Sequence, residues 1–255
     1  MPDVNYLTAR ETAAAVTLIA RRELAAYFDS RIAYVYTIGF VALANSIFMN
    51  DFFLTGTADM TPFFDLLPLL LAIFLPAVTM RLWAEERKHR TIELLLTFPI
   101  TPREAVAGKF VAALGLYMLF LVGSVPIVVM LFVVGDPDGG VIAGGYLGVL
   151  LLGAHLLASG MFFSALSSDQ IVAFVTASFS AFAFILSGHD RVVEVFDGMA
   201  PSLAAGTALR ESVSIVPHFD AFVGGAIELP SVIYFCGMSV VFLWMTTLVL
   251  TQNRT

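Results

Sequence analysis

The sequence predicts an all-α integral membrane protein: six transmembrane helices, an N-terminal interfacial helix, a short cytoplasmic helix between the second and third spans, and short outer helices before the last span. Three observations carry this. Of the 255 residues, 59% are hydrophobic and 13% charged, whereas an ordinary soluble domain is about one quarter charged. Mean hydropathy is +0.89. Six runs approach the roughly 20 apolar residues that a helix rising 1.5 Å per residue needs to cross about 30 Å of hydrocarbon.

Before the first span, Val16, Ala20, Leu24 and Tyr27 recur every three or four residues, with Ile19 and Phe28 beside them and Arg21, Arg22 and Glu23 interrupting the pattern. That periodicity predicts an amphipathic helix within residues 1–31, lying at the inner membrane surface with its arginines toward headgroups or a neighbouring protein. The spans follow at about residues 32–54, 62–83, 104–134, 141–166, 170–187 and 231–250. Pro68 and Pro76 in the second and Pro126 in the third each remove a backbone donor and bend the helix, which lipid tolerates only where neighbours satisfy the freed carbonyls. Gly144, Gly145, Gly148 and Gly153 give the fourth span a small-residue edge, suited either to packing within the chain or to a dimer seam.

Basic residues set the orientation. With the N-terminus inside, Arg10, Arg21, Arg22, Arg31, Arg81, Arg87, Lys88, Arg90, Arg103, Lys109 and Arg254 lie in or beside cytoplasmic segments, and only Arg191 and Arg210 fall outside. An even number of spans places both termini in the cytoplasm. No cleaved signal peptide is expected, because Arg10, Arg21 and Arg22 are not followed by an apolar core with a small-residue cleavage site before the first long run. A net charge of -7, from 13 Lys+Arg against 20 Asp+Glu, leaves no basic surface for nucleic acid. The single cysteine, Cys236, excludes an intrachain disulfide and a CxxC metal knuckle.

The most informative segment joins spans two and three. Glu85, Glu86, Arg87, Lys88, His89 and Arg90 mix both signs of charge, and Ile92, Leu95 and Leu96 then share one face of a short helix, with Phe98 extending it. Thr101, Pro102 and Glu104 read as a capping box that starts the next helix, with Thr101 at N-cap, Pro102 at N1 and Glu104 at N3. A compact apolar helix beside a charged cluster suits insertion into a groove on another protein; it equally suits a loop resting on the membrane.

The stretch at 80–100 resembles the signature loop of ABC-2 type permeases, the transmembrane subunits of ATP-binding-cassette transporters. It looks most like the branch holding gliding-motility-associated permeases and the permease of the nitrous-oxide-reductase maturation system. Residues 164–174 are similar to that branch's turn between spans four and five, and residues 217–235 to its approach to the last span. The resemblance covers nearly the whole chain, with His89 and Arg90 standing where many relatives have a glycine.

The resemblance implies one transmembrane domain over 32–255, a coupling loop at 84–103 and an outer segment at 188–230 whose small helices cover the outer end of the pathway. It assigns docking on the ATPase to Glu85, Glu86, Arg87, Arg90, Thr91 and Glu93, with Ile92, Leu95 and Leu96 as apolar contacts. It further implies a second permease copy or homologous permease, auxiliary periplasmic or membrane proteins, a bacterial inner-membrane location, and export. No GxxxxGK[ST] loop occurs, so no cofactor is expected in this chain, and ATP and Mg2+ are expected in a partner ATPase.

The four histidines, His89, His155, His189 and His218, are scattered, and neither HExxH nor GxSxG occurs. His155 within span four reads as a packed or interhelical residue, or else as a pathway group; Asp65 near the outer end of span two reads as a boundary carboxylate or a pathway group. Two other readings stand beside the permease: a non-transporting anchor or regulatory subunit of an ABC-like complex, and an intramembrane hydrolase using His155 and outer carboxylates.

Overall fold

The computed structural model describes residues 9–89, 100–199 and 205–252, and every regular element among them is a helix. In chain order these are α1 (Ala9–Asp29), α2 (Arg31–Thr55), α3 (Thr61–Thr79), α4 (Arg81–Lys88), α5 (Pro102–Val122), α6 (Val125–Val134), α7 (Gly139–Leu166), α8 (Gln170–Leu186), α9 (Asp190–Met199), α10 (Ala205–Ser212), α11 (Val216–Val223) and α12 (Leu229–Gln252). Among the described residues five stretches are long and apolar enough to cross a membrane: Arg31–Thr55, Thr61–Lys88, Pro102–Val134, Gly139–Leu166 and Leu229–Gln252. The expected sixth crossing is α8, whose 17 residues sit at the lower limit of about 17–25 for a span. It turns through 83° into α9, so the six-span reading holds when that bent pair is taken as one crossing.

Local chemistry sets the boundaries. Thr101 Oγ1 accepts from the Glu104 N–H (3.3 Å) and Glu104 Oε2 from the Thr101 N–H (2.8 Å), closing the capping box the sequence predicts. Asp138 and Asp169 cap α7 and α8 in the same manner, each taking two backbone N–H donors with one oxygen. The third span breaks at Gly123–Ser124, ahead of Pro126, because the proline ring clashes with the carbonyl four residues back and cannot donate to it. Asn45 Nδ2 from α2 donates to the Gly123 carbonyl (3.1 Å), and Tyr146 of α7 meets Ser124 Oγ (2.7 Å). Neighbouring side chains thus supply hydrogen bonds at the break that lipid cannot.

The hub is α7, which packs on α3, α8, α11 and α12 and reaches α4 and α5. Its glycines serve this chain: a Cβ on Gly145 would lie 2.2 Å from the Phe64 ring of α3, and one on Gly153 2.2 Å from the Tyr117 ring of α5. Of the two uses open to that small-residue edge, intrachain packing is the one found. The outer segment forms α9, α10 and α11, the short helices expected before the last span. Asp197 ties α9 to α10 through the Gly206 and Thr207 N–H groups and the Thr207 hydroxyl, and Arg210 pairs with Asp190 at 2.7 Å.

Candidate functional site

The second span does not stop at Trp83, where its apolar run ends. After a turn at Met80 it continues as α4, so Glu85, Glu86 and Arg87 ride on a helix that projects from the basic end of the bundle. The break at Met80 is bonded from three sides. Ser164 Oγ of α7 accepts from the N–H groups of Trp83 (3.1 Å) and Ala84 (3.2 Å) and donates to the Met80 carbonyl (3.0 Å). The Tyr27 hydroxyl of α1 donates to the Val78 carbonyl (3.2 Å), and Lys109 Nζ of α5 to the Leu82 carbonyl (2.9 Å). Arg81 pairs loosely with Glu85 at 3.7 Å and donates to Ser30 Oγ.

Lys109 is the centre of this junction. Its side chain is 2% exposed, yet Nζ lies 2.8 Å from Glu86 Oε1 on α4 and 3.3 Å from Glu23 Oε1 on α1. The ammonium also stands 4.8 Å from the centre of the buried Trp83 ring, a cation–π geometry that lowers the cost of its burial. Burial pushes the Glu23 carboxyl up, but Lys109 and Arg22 more than offset this and hold it below the usual value. Beside the cluster lies a cavity of about 200 Å³ lined by Glu23, Tyr27, Arg81, Glu85, Glu86 and Lys109.

Of the residues expected to meet an ATPase, Glu85, Glu86 and Arg87 are thus brought together on α4, and Glu86 turns one oxygen inward to Lys109. Arg90, Thr91, Ile92, Glu93, Leu95 and Leu96 lie outside the described residues. Lys109 and Glu23 were legible only as charges in a basic region. The available signal was a lysine flanked by Gly108 and Phe110 inside an apolar helix, which demands a carboxylate partner.

His155 lies fully buried in an aromatic box, edge-on to Phe184 at 4.9 Å and 5.7 Å from Phe242, with Tyr234 and Phe235 beyond. Neither ring nitrogen has a hydrogen-bond partner among the described residues. It is a packed residue, and among the described residues neither ring nitrogen meets a carboxylate to make a hydrolytic pair. Asp65 is solvent-exposed on α3 at the opposite end of the bundle. It is near enough to Asp220 that, after burial, its charge contributes to raising the Asp220 carboxyl, against Arg210. Among the described residues no three His, Cys, Asp or Glu side chains converge as metal ligands.

A bundle of long apolar helices whose second span extends into a braced, charged arm defines a multi-pass membrane subunit. The chain matches the ABC-2 family transporter protein family over residues 49–248 and belongs to it. Membership makes it a non-catalytic membrane subunit of a transporter, which sets aside the intramembrane hydrolase. No curated protein matches the chain.

Proposed function

We propose that this chain is the permease half of an ABC exporter of the bacterial inner membrane, with both termini in the cytoplasm. The single observation that carries the reading is the arm α4: the span is prolonged beyond its apolar run, bonded on three sides, and leads directly into the charged and apolar loop at 84–103. A rigid extension of a span, rather than a slack loop, is what a membrane subunit needs to receive a push from a soluble motor. The motor is a separate ATPase holding ATP and Mg2+, and it docks on Glu85, Arg87, Arg90, Thr91, Ile92, Glu93, Leu95 and Leu96. Glu86 faces it only in part, since its other duty is to Lys109.

Two such permeases, identical or homologous, enclose the path, with residues 188–230 over its outer end and residues 1–31 as the interfacial helix. Auxiliary periplasmic or membrane proteins complete the assembly. Asp65, exposed at the outer end, is the better candidate for a pathway group; His155 is sealed among aromatic rings. The loop at 80–100 supports placement near the gliding-motility and nitrous-oxide-reductase-maturation branch.

The test is affinity purification from detergent-solubilised native membranes, followed by mass spectrometry. The wild-type chain is compared with a Glu85→Arg, Ile92→Asp variant, which keeps the Glu86–Lys109 bond at the junction. An ATPase carrying a GxxxxGK[ST] loop should accompany the wild type and be lost from the variant. Recovery of no such ATPase with wild type, under conditions that keep other membrane complexes intact, would overturn the reading.

A further inference from the structure

The arm and the N-terminal helix belong to two packed units that meet along α5 and α7. The arm α4 packs on α7 and α8, whereas α1 packs along α5; direct contact between α4 and either α1 or α5 is slight. The α1–α5 contact is close: a Cβ on Gly108 would fall 2.7 Å from Ile19 and 3.1 Å from the Val16 carbonyl. The cavity of about 200 Å³ is lined from both units, by Glu23, Ala26 and Tyr27 of α1 and by Leu82, Glu85 and Glu86 of α4. Besides the Tyr27–Val78 and Arg81–Ser30 bonds at the foot of the arm, what crosses between them is Lys109, reaching from α5 to the Leu82 carbonyl and Glu86 on the arm itself while its other carboxylate, Glu23, lies on α1.

We propose that Lys109 is the positioning residue through which displacement of the arm α4 is passed to the α1–α5 pair. The inference rests on the permease reading above, because it takes the arm as the element that the ATPase moves. Apolar contacts are non-directional and let surfaces slide, whereas a charge-assisted hydrogen bond to a carboxylate and a carbonyl one turn apart holds one register. A close-packed interface admits little relative motion. The cavity supplies slack beside the grip, so the arm can move on that side, and the α1–α5 pair follows it only as far as Lys109 holds. Arg81 and Glu85, paired at 3.7 Å on the cavity wall, are loose enough to rearrange as it does.

The experiment uses the full permease purified with its ATPase, in a Cys236→Ser background because Cys236 is exposed and would itself be labelled. Spin labels at Leu18→Cys on α1 or Lys88→Cys on α4 are each measured against Thr251→Cys on α12, without nucleotide and with ATP plus vanadate, labelled chains being diluted with unlabelled ones. In the wild type both distances should shift. In Lys109→Met, which removes both bonds to the arm, the Lys88 shift should persist and the Leu18 shift should be lost. In Glu86→Gln, which leaves Lys109 bonded to the Leu82 carbonyl and paired with Glu23, the Leu18 shift should fall clearly below the wild-type size, so that this variant tests the link if Lys109→Met does not assemble. A Leu18 shift of wild-type size in either variant, or an immobile Leu18 beside a moving Lys88 in the wild type, would overturn the inference and leave the permease reading intact. A Lys88 label that never moves in a complex hydrolysing ATP would overturn both.

Discussion

An ammonium group at 2% exposure is tolerable only with most of its hydrogen-bonding capacity filled, and Lys109 fills it with two carboxylates and a carbonyl. The cost of undoing this is asymmetric. The carboxylates keep 16% and 20% exposure, so they rehydrate when the lysine is removed; the ammonium, stripped of both, stays buried. Lys109→Met should therefore cost about 1–2 kcal/mol and Glu23→Gln with Glu86→Gln about 3–5 kcal/mol, as expected when a buried charge loses its partners. Thermal unfolding in detergent, comparing the two, checks the order. The opposite case is His155, whose ring nitrogens have no partner among the described residues. An unsatisfied buried polar group costs about 1–3 kcal/mol, so His155→Phe, at similar volume within the same rings, should leave the unfolding midpoint unchanged or raise it. A clear fall would mean that the imidazole makes a bond this state does not display.

At the scale of elements, helix contacts decide where a side chain can be added. Gly153 of α7 faces the Tyr117 ring at a distance that no Cβ occupies, and Gly237 of α12 has nothing within 4 Å. Gly153→Ala should lower stability by about 1–3 kcal/mol through overpacking. Gly237→Ala should raise it by a few tenths to about 1 kcal/mol, because alanine is the better helix former. Both follow from midpoints measured in one detergent. Much of this level could be read from residues. Thr101, Pro102 and Glu104 specify their cap within four positions, and Pro126 specifies a break in the third span. The continuation of α4 beyond Trp83 could not be read in that way, since Glu85 to Lys88 break every hydropathy pattern; the start of that helix is bonded at Trp83 and Ala84 by Ser164, 80 residues from Ala84 in sequence.

The whole molecule carries a titratable link at each end of the bundle, and both weaken in acid. Burial, opposed by Glu228, lowers the His218 pKa below 6.5 while the ring stacks on Tyr234 at 4.2 Å. The unfolded chain therefore takes up the proton first, so this contribution is complete above pH 6.5 and is lost as pH falls from there through the folded value. The carboxyl of Glu23 is held below 4.5, so its contribution is complete above pH 4.5 and lost as pH falls further. The unfolding midpoint should decline in two stages: His218→Phe should remove the upper and Glu23→Gln the lower, and a single stage unaffected by either substitution would contradict both assignments.

The helical membrane class, the approximate positions of the apolar spans and the helical character of the outer segment were determined by sequence alone, because hydrophobic thickness, capping and proline chemistry act over a few consecutive residues. Only the tertiary structure decided that the glycines of α7 serve packing within the chain, that His155 is sealed, and that Lys109 grips the arm. Each of those depends on which residues, 23 to 87 positions apart in sequence, are brought within a few ångströms by helix packing, and a buried charge reveals its purpose only through the partners that packing supplies.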